Sequence, residues 1–185
     1  MSLSSRRRRQ ALSVTPVAIV MAIGGSVGTA AHASPQRAPS ATLISTVNFQ
    51  IRDHEDVGKD TNCTRWSQTR NTVRYLPQDF SHSGKCGGEI RVEIHYQADL
   101  NSDNSLTIDR GRVLFFEGTS EDTRDLDGGL TFGFPGAPII VPPGESVSRT
   151  YYVENSAEGE RDDHAYVTVD WRNVRNYQLG RVTPR

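Results

Sequence analysis

The sequence predicts an all-β chain, folded as an antiparallel β-sandwich of about seven to eight strands. Three observations carry that expectation. Apolar and polar residues alternate with period two, Gly and Pro clusters interrupt the alternation at short intervals, and no stretch of ten or so residues shows capped helical periodicity.

The elements follow in chain order. Val47, Phe49 and Ile51 alternate with Asn48, Gln50 and Arg52. Ile90, Val92, Ile94 and Tyr96 alternate with Arg91, Glu93, His95 and Gln97, and Ala165, Val167, Val169 and Trp171 with Tyr166, Thr168, Asp170 and Arg172. Such runs bury one face of a sheet and wet the other. Weaker strands fit 66–75, 106–116, 130–134 and 147–153. Punctuation stands at Gly87-Gly88, Gly128-Gly129, Pro135 to Pro138 and Pro142-Pro143-Gly144.

The first 33 residues read as an address. Arg6 to Arg9 precede an apolar run from Ala11 to Ile23, and Ala31-His32-Ala33 ends the segment before Ser34. A basic start, a short apolar core and an A-x-A-like end make a secretory signal peptide, with cleavage between Ala33 and Ser34. The run is too short and too interrupted to span a bilayer. An ordinary secretory signal is the plainer reading, and a twin-arginine export signal is the alternative. No cysteine at the cleavage point offers a lipid anchor. Residues 34–41, with Pro35 and Pro39, read as a disordered lead-in to one domain over 42–185.

The segment removed carries four arginines and no acids, so the exported chain has 17 basic and 22 acidic residues and a net charge of −5. A mildly acidic chain lacks the basic footprint that nucleic acid requires. It has no polybasic stretch for an anionic membrane either. The expected partner is an extracellular ligand: a protein, a glycan or a cationic surface.

Cys63 and Cys86 are the only cysteines, and in an oxidising compartment they are expected to pair. Their midpoint falls beside Tyr75-Leu76-Pro77, a plausible turn, so the bridge is expected to close the open end of a hairpin, with 65–74 going out and a further short strand, 80–85, returning.

Strand parity then locates three acidic connections, at 53–60, 117–129 and 154–163. Connections separated by an even number of strands lie at the same end of a sandwich. Four expected strands separate the first from the second and two separate the second from the third, so all three should meet near the disulfide. The polar turn at 99–105 should lie at the other end. Crowded carboxylates need a cation, and Ca²⁺ accepts six to eight oxygens in irregular geometry. Asp122, Asp125, Asp127, Asp162 and Asp163, with Asp53, Glu55 and Asp56, are the candidate ligands. A solvated acidic rim, with Arg124 and Arg161 as local counter-charges, is the competing reading.

The arrangement is similar in outline to C2-like sandwiches, in which Asp residues from loops at one end hold calcium; an Ig-like outline fits the strand pattern as well. Residues 141–153, "VPPGESVSRTYYV", look like the Pro-Gly turn into a strand of many secreted bacterial sandwich domains.

Other chemistry finds less support. Residues 99–109 have EF-hand-like offsets, but Asn104 stands where the loop needs Gly and Arg110 where it needs Glu. His54, His82, His95 and His164 show no ligand spacing for zinc. No nucleophile elbow, Ser/His/Asp pattern or phosphate loop is present. Trp66 is expected to pack on the disulfide and Trp171 to continue the apolar face of its strand into the core, although either could stack a sugar. The sequence reading is a secreted, non-enzymatic binding or structural module with calcium at one end. A hydrolase using that acidic end, or a metal-free carbohydrate- or protein-binding (inhibitor-like) module, is the alternative.

Overall fold

Every regular element in the computed structural model, which describes residues 39–54, 59–133, 137–156 and 163–175, is a β-strand. The expected signal peptide and its expected cleavage point lie outside the described residues. In chain order the strands are β1 (Ala41–Asp53), β2 (Thr61–Val73), β3 (Gln78–Cys86), β4 (Ile90–Leu100), β5 (Leu106–Phe116), β6 (Leu126–Phe132), β7 (Ile139–Val141), β8 (Ser146–Glu154) and β9 (His164–Val174). They form a four-stranded sheet, β2-β1-β9-β8, and a five-stranded sheet, β3-β4-β5-β6 with β7 also on β5; every pairing is antiparallel. The expected sandwich is the one observed.

The strand phases are those the alternation dictates. Val47, Phe49, Ile90, Val92, Ile94, Val167, Val169 and Trp171 are all fully buried. Tyr96 meets Trp171 edge-on at 5.6 Å between ring centres, and Phe132 stacks on Tyr151 at 4.3 Å. Trp171 is thus a core residue, as its place in the alternation implies.

Polar groups also cross the interior. Ser67 Oγ on β2 lies 2.9 Å from His82 Nδ1 on β3, His82 Nε2 lies 3.4 Å from Tyr96 Oη on β4, and Tyr96 Oη donates to Ser45 Oγ on β1 at 2.6 Å. This chain joins both sheets, with His82, Tyr96 and Ser45 all buried. Burial without partners costs a hydroxyl about 1–3 kcal/mol, so the linkage makes polar residues tolerable in an apolar layer.

Two details correct the expected topology. Cys63 and Cys86 do form a disulfide, with Cα atoms 5.6 Å apart, but β2 and β3 belong to different sheets. The bridge is therefore a staple between layers, not the end of a hairpin. Closing its 23-residue separation stabilises the fold by roughly 3–3.5 kcal/mol in the chain-entropy model.

The second detail concerns parity. Three strands, β6, β7 and β8, separate the second acidic connection from the third, where two were expected. Yet β6 pairs with residues 111–116 of β5 and β7 with residues 106–108, both antiparallel to it. They run in the same direction along one edge and act as a single interrupted strand. The even count survives, and so does the placement it implies.

Candidate functional site

At the pole where β1, β5 and β8 end, the acidic connections do converge. Asn155 N donates to Asp163 O, and Ser156 N donates to Asp127 O, both at 2.9 Å. Asn155 Nδ2 donates to Glu117 Oε2 at 2.8 Å, joining the third connection to the second. His54 N donates to Asp163 Oδ1, joining the first to the third. The turn after the disulfide belongs here too: a Cβ on Gly87 would lie 1.7 Å from Asp53 Oδ2. At Gly128 a Cβ would lie 1.9 Å from Glu154 O, so only glycine lets β6 approach β8 so closely.

Of the eight candidate calcium ligands, Glu55, Asp56 and Asp162 lie outside the described residues. Asp53, Asp127 and Asp163 are buried, at 4%, 8% and 9% exposure. Asp127 is the extra residue of a bulge where β5–β6 pairing shifts between Phe115 and Phe116, and its Oδ2 accepts from Glu117 N at 2.8 Å. Asp122 is exposed and accepts from Lys85 Nζ at 3.0 Å. That bond holds the Asp122 carboxyl below its usual range and raises the Lys85 ammonium. Asp125 is exposed and contributes its backbone N–H to Thr123 Oγ1. Elsewhere at this pole Asp60 sits below the usual carboxylate range, chiefly through a hydrogen bond from Arg52 and then one with His54. Much of the mutual repulsion is thus relieved by internal donors.

Glu89, Glu117, Asp125 and Asp127 line a hollow of about 170 Å³ at this pole. Among the described residues, no three His, Cys, Asp or Glu side chains form a group able to hold a metal ion. A carboxyl raised above its ordinary range, of the kind an acid catalyst needs, is found at the opposite pole. Asp99, near the end of β4, is raised by burial and then by the charge of Asp109.

Sequence reasoning missed a second surface. Trp66 does not pack on the disulfide: it is 67% exposed on the outer face of the four-stranded sheet. Cys63 and Trp66 are three residues apart on one strand, and period two sends them to opposite faces. Across the sheet Trp66 is in register with Asn48, Thr168 and Thr150. The adjacent row runs Thr64, Gln50, Tyr166, Tyr152. Tyr152 and Tyr166 are 42% and 46% exposed, with ring centres 5.2 Å apart and planes inclined at 52°. Strands about 4.8 Å apart put roughly 15 Å between the β2 and β8 edges of this strip. Neither row carries a charged side chain at neutral pH.

No protein-family model matches the chain, and no curated protein matches it.

Proposed function

We propose that the protein is an exported, non-enzymatic binding module that holds a neutral polysaccharide across the outer face of its four-stranded sheet. The observation that carries this reading is the uncharged strip with Trp66 at one edge and Tyr152–Tyr166 at the other. A pyranose ring presents a C–H face that lies on an aromatic ring and a rim of hydroxyls that seeks amides and hydroxyls. Asn48, Gln50, Thr64, Thr150 and Thr168 supply the latter between the rings. Indole exposed at this level is a cost in a solitary domain and a contact anchor in a complex. Export is supported by the signal-like first 33 residues and by a disulfide of the kind that oxidising compartments preserve.

The test is co-sedimentation with insoluble cellulose, chitin, xylan and mannan at moderate salt. The wild-type protein is expected to partition onto at least one of them, and W66A to lose at least ten-fold in retention. Failure to sediment with any, or retention unchanged in W66A and in Y152A/Y166A, contradicts the proposal.

A second reading, calcium at the acidic pole, rests on the hollow that Glu89, Glu117, Asp125 and Asp127 line, and needs oxygens beyond these four described residues, which do not by themselves form a metal-holding group. Extracellular modules bind calcium at about 10⁻⁴–10⁻³ M. At about a hundred-fold excess over Kd the ion contributes roughly 2.7 kcal/mol, a rise of about 5–10 °C in Tm for a domain of this size. A shift under about a degree between EDTA and 10 mM Ca²⁺ rejects it.

A further inference from the structure

The outer face of the five-stranded sheet carries a groove of about 490 Å³, to which β3 contributes Asp79 and Ser81, β4 His95 and Gln97, and β5 Arg110 and Arg112. Its volume lies within the ~300–1,000 Å³ of small-molecule sites. It lies on the opposite sheet from Trp66 and shares no residue with the polysaccharide face.

A departure from regular strand geometry builds the groove. Leu106 and Ile108 face the core, and so do Val113 and Phe115. The step from 108 to 113 is odd, so one residue must be inserted for both ends of β5 to point inward. The β4–β5 register accordingly shifts between His95 and Gln97, and Arg110 adopts φ +48°. The left-handed region costs a non-glycine residue about 1–2 kcal/mol. Glycine at 110 would carry that φ freely, yet an arginine stands there, and the bulge leaves Arg110 and Arg112 both exposed beside the groove.

Two of the acids on this face, Glu93 and Asp79, are engaged elsewhere, and the charge of a third, Asp109, in register with Gln97, falls on Asp99, whose carboxyl is raised by burial and then by that charge. Glu93 accepts from Arg91 Nε and pairs with His95 Nε2, each at 2.8 Å. Asp79 Oδ1 accepts from Gln97 Nε2 at 2.9 Å. Arg110 and Arg112 make no side-chain hydrogen bond or ion pair to another described residue. Two planar, permanently charged forks facing one groove suit a carboxylate-sized oxyanion, which they can take in bidentate fashion.

We propose that this groove is a separate site for an acidic sugar, its carboxylate on Arg110 and Arg112 and its hydroxyls on Asp79, Ser81 and Gln97. Asp79 decides the class. A carboxylate on the far wall accepts hydroxyl hydrogens but repels a second anion, so the ligand is negative at one end and hydroxylated at the other. Bare phosphate meets only half of that description.

Isothermal titration of the exported protein with cellobiouronate (glucuronate linked to glucose, one carboxylate per disaccharide), cellobiose and inorganic phosphate tests the assignment. Cellobiouronate is expected to bind at least ten-fold more tightly than either of the others. R110N/R112Q, in which Asn tolerates the left-handed φ, should lose at least ten-fold in affinity. R110K/R112K should fall between, because a lysine has charge but no fork. Affinity for cellobiouronate should be the same in W66A, so this site can fail without the polysaccharide face failing, and the reverse. Equal binding of phosphate or cellobiose overturns the assignment, as does unchanged affinity in R110N/R112Q. Should R110N/R112Q not fold, amide NMR of the wild type decides. Cellobiouronate-induced shifts confined to Ser81, His95, Gln97 and Gly111 support the site, and their absence overturns it.

Discussion

Tyr96 Oη donates to Ser45 Oγ at 2.6 Å, from β4 of one sheet to β1 of the other. The phenol is buried, and burial pushes its pKa up to about 12, against the smaller lowering effect of the bond to Ser45. A raised pKa means that the native state holds the proton where the unfolded chain has released it. The associated stability is complete below pH 10 and is lost as pH rises toward 12. Tyr151, half-buried against Phe132, is likewise pushed to about 12 by burial. Chemical denaturation from pH 8 to 11.5 should show stability falling above pH 10. Y96F should flatten part of that fall while costing about 1–2 kcal/mol at pH 8 from the orphaned Ser45. An unchanged alkaline limb in Y96F would show that the phenol does not titrate with unfolding.

His82 acts on the acid side, in the window just below pH 6.5. Burial lowers its pKa below 6.5, so the folded protein keeps the ring neutral where the unfolded chain would charge it. Its stability contribution is present above pH 6.5 and is lost as pH falls through the lowered folded value. H82Q, which preserves a polar side chain near Ser67 and Tyr96, should be less stable at pH 7.5 yet lose less between pH 7 and pH 5. An identical acid limb in wild type and H82Q would place the acid sensitivity elsewhere.

Gly87 and Gly88 separate backbone strain from steric contact. Both have positive φ, +68° and +93°, but a Cβ at 87 runs into Asp53 Oδ2 whereas one at 88 meets nothing within 4 Å. G88A should cost about 1–2 kcal/mol for the conformation alone. G87A should cost about 1–3 kcal/mol more, for the displaced carboxylate. Equal losses by urea denaturation would mean that Asp53 swings away without penalty.

Much of this architecture was legible because burial imposes period two. The alternations around Val47, Ile90 and Val167 gave strand phase directly, and parity brought the acidic connections to one pole even though β7 was missed. What alternation cannot say is which sheet a strand joins, since β2 and β3 bury one face whether they pair or lie in opposite layers. Hence the disulfide was expected in a hairpin and is found between sheets. One signal was present and unread: the three-residue step from Cys63 to Trp66 sends the indole outward. The bulge at Arg110 was not legible, because Leu114 and Phe116 continue the phase of Leu106 and Ile108, and only burial shows that Val113 and Phe115 face the core. The acid-rich stretches, read as wanting a cation, satisfy much of their charge with Lys85, Arg52 and backbone N–H groups from distant connections, partners that sequence proximity does not reveal.

The two tryptophans offer the most direct test of the polysaccharide-binding face, because Trp66 is 67% exposed and Trp171 is fully buried. Iodide quenching of tryptophan emission, with and without saturating hexaose from whichever polysaccharide retains the protein, reads Trp66 almost alone. Bound oligosaccharide should shift the emission to the blue and cut quenching severalfold, and in W66A neither change should remain. Emission and quenching unaltered by a saturating oligosaccharide would contradict the assignment of that face.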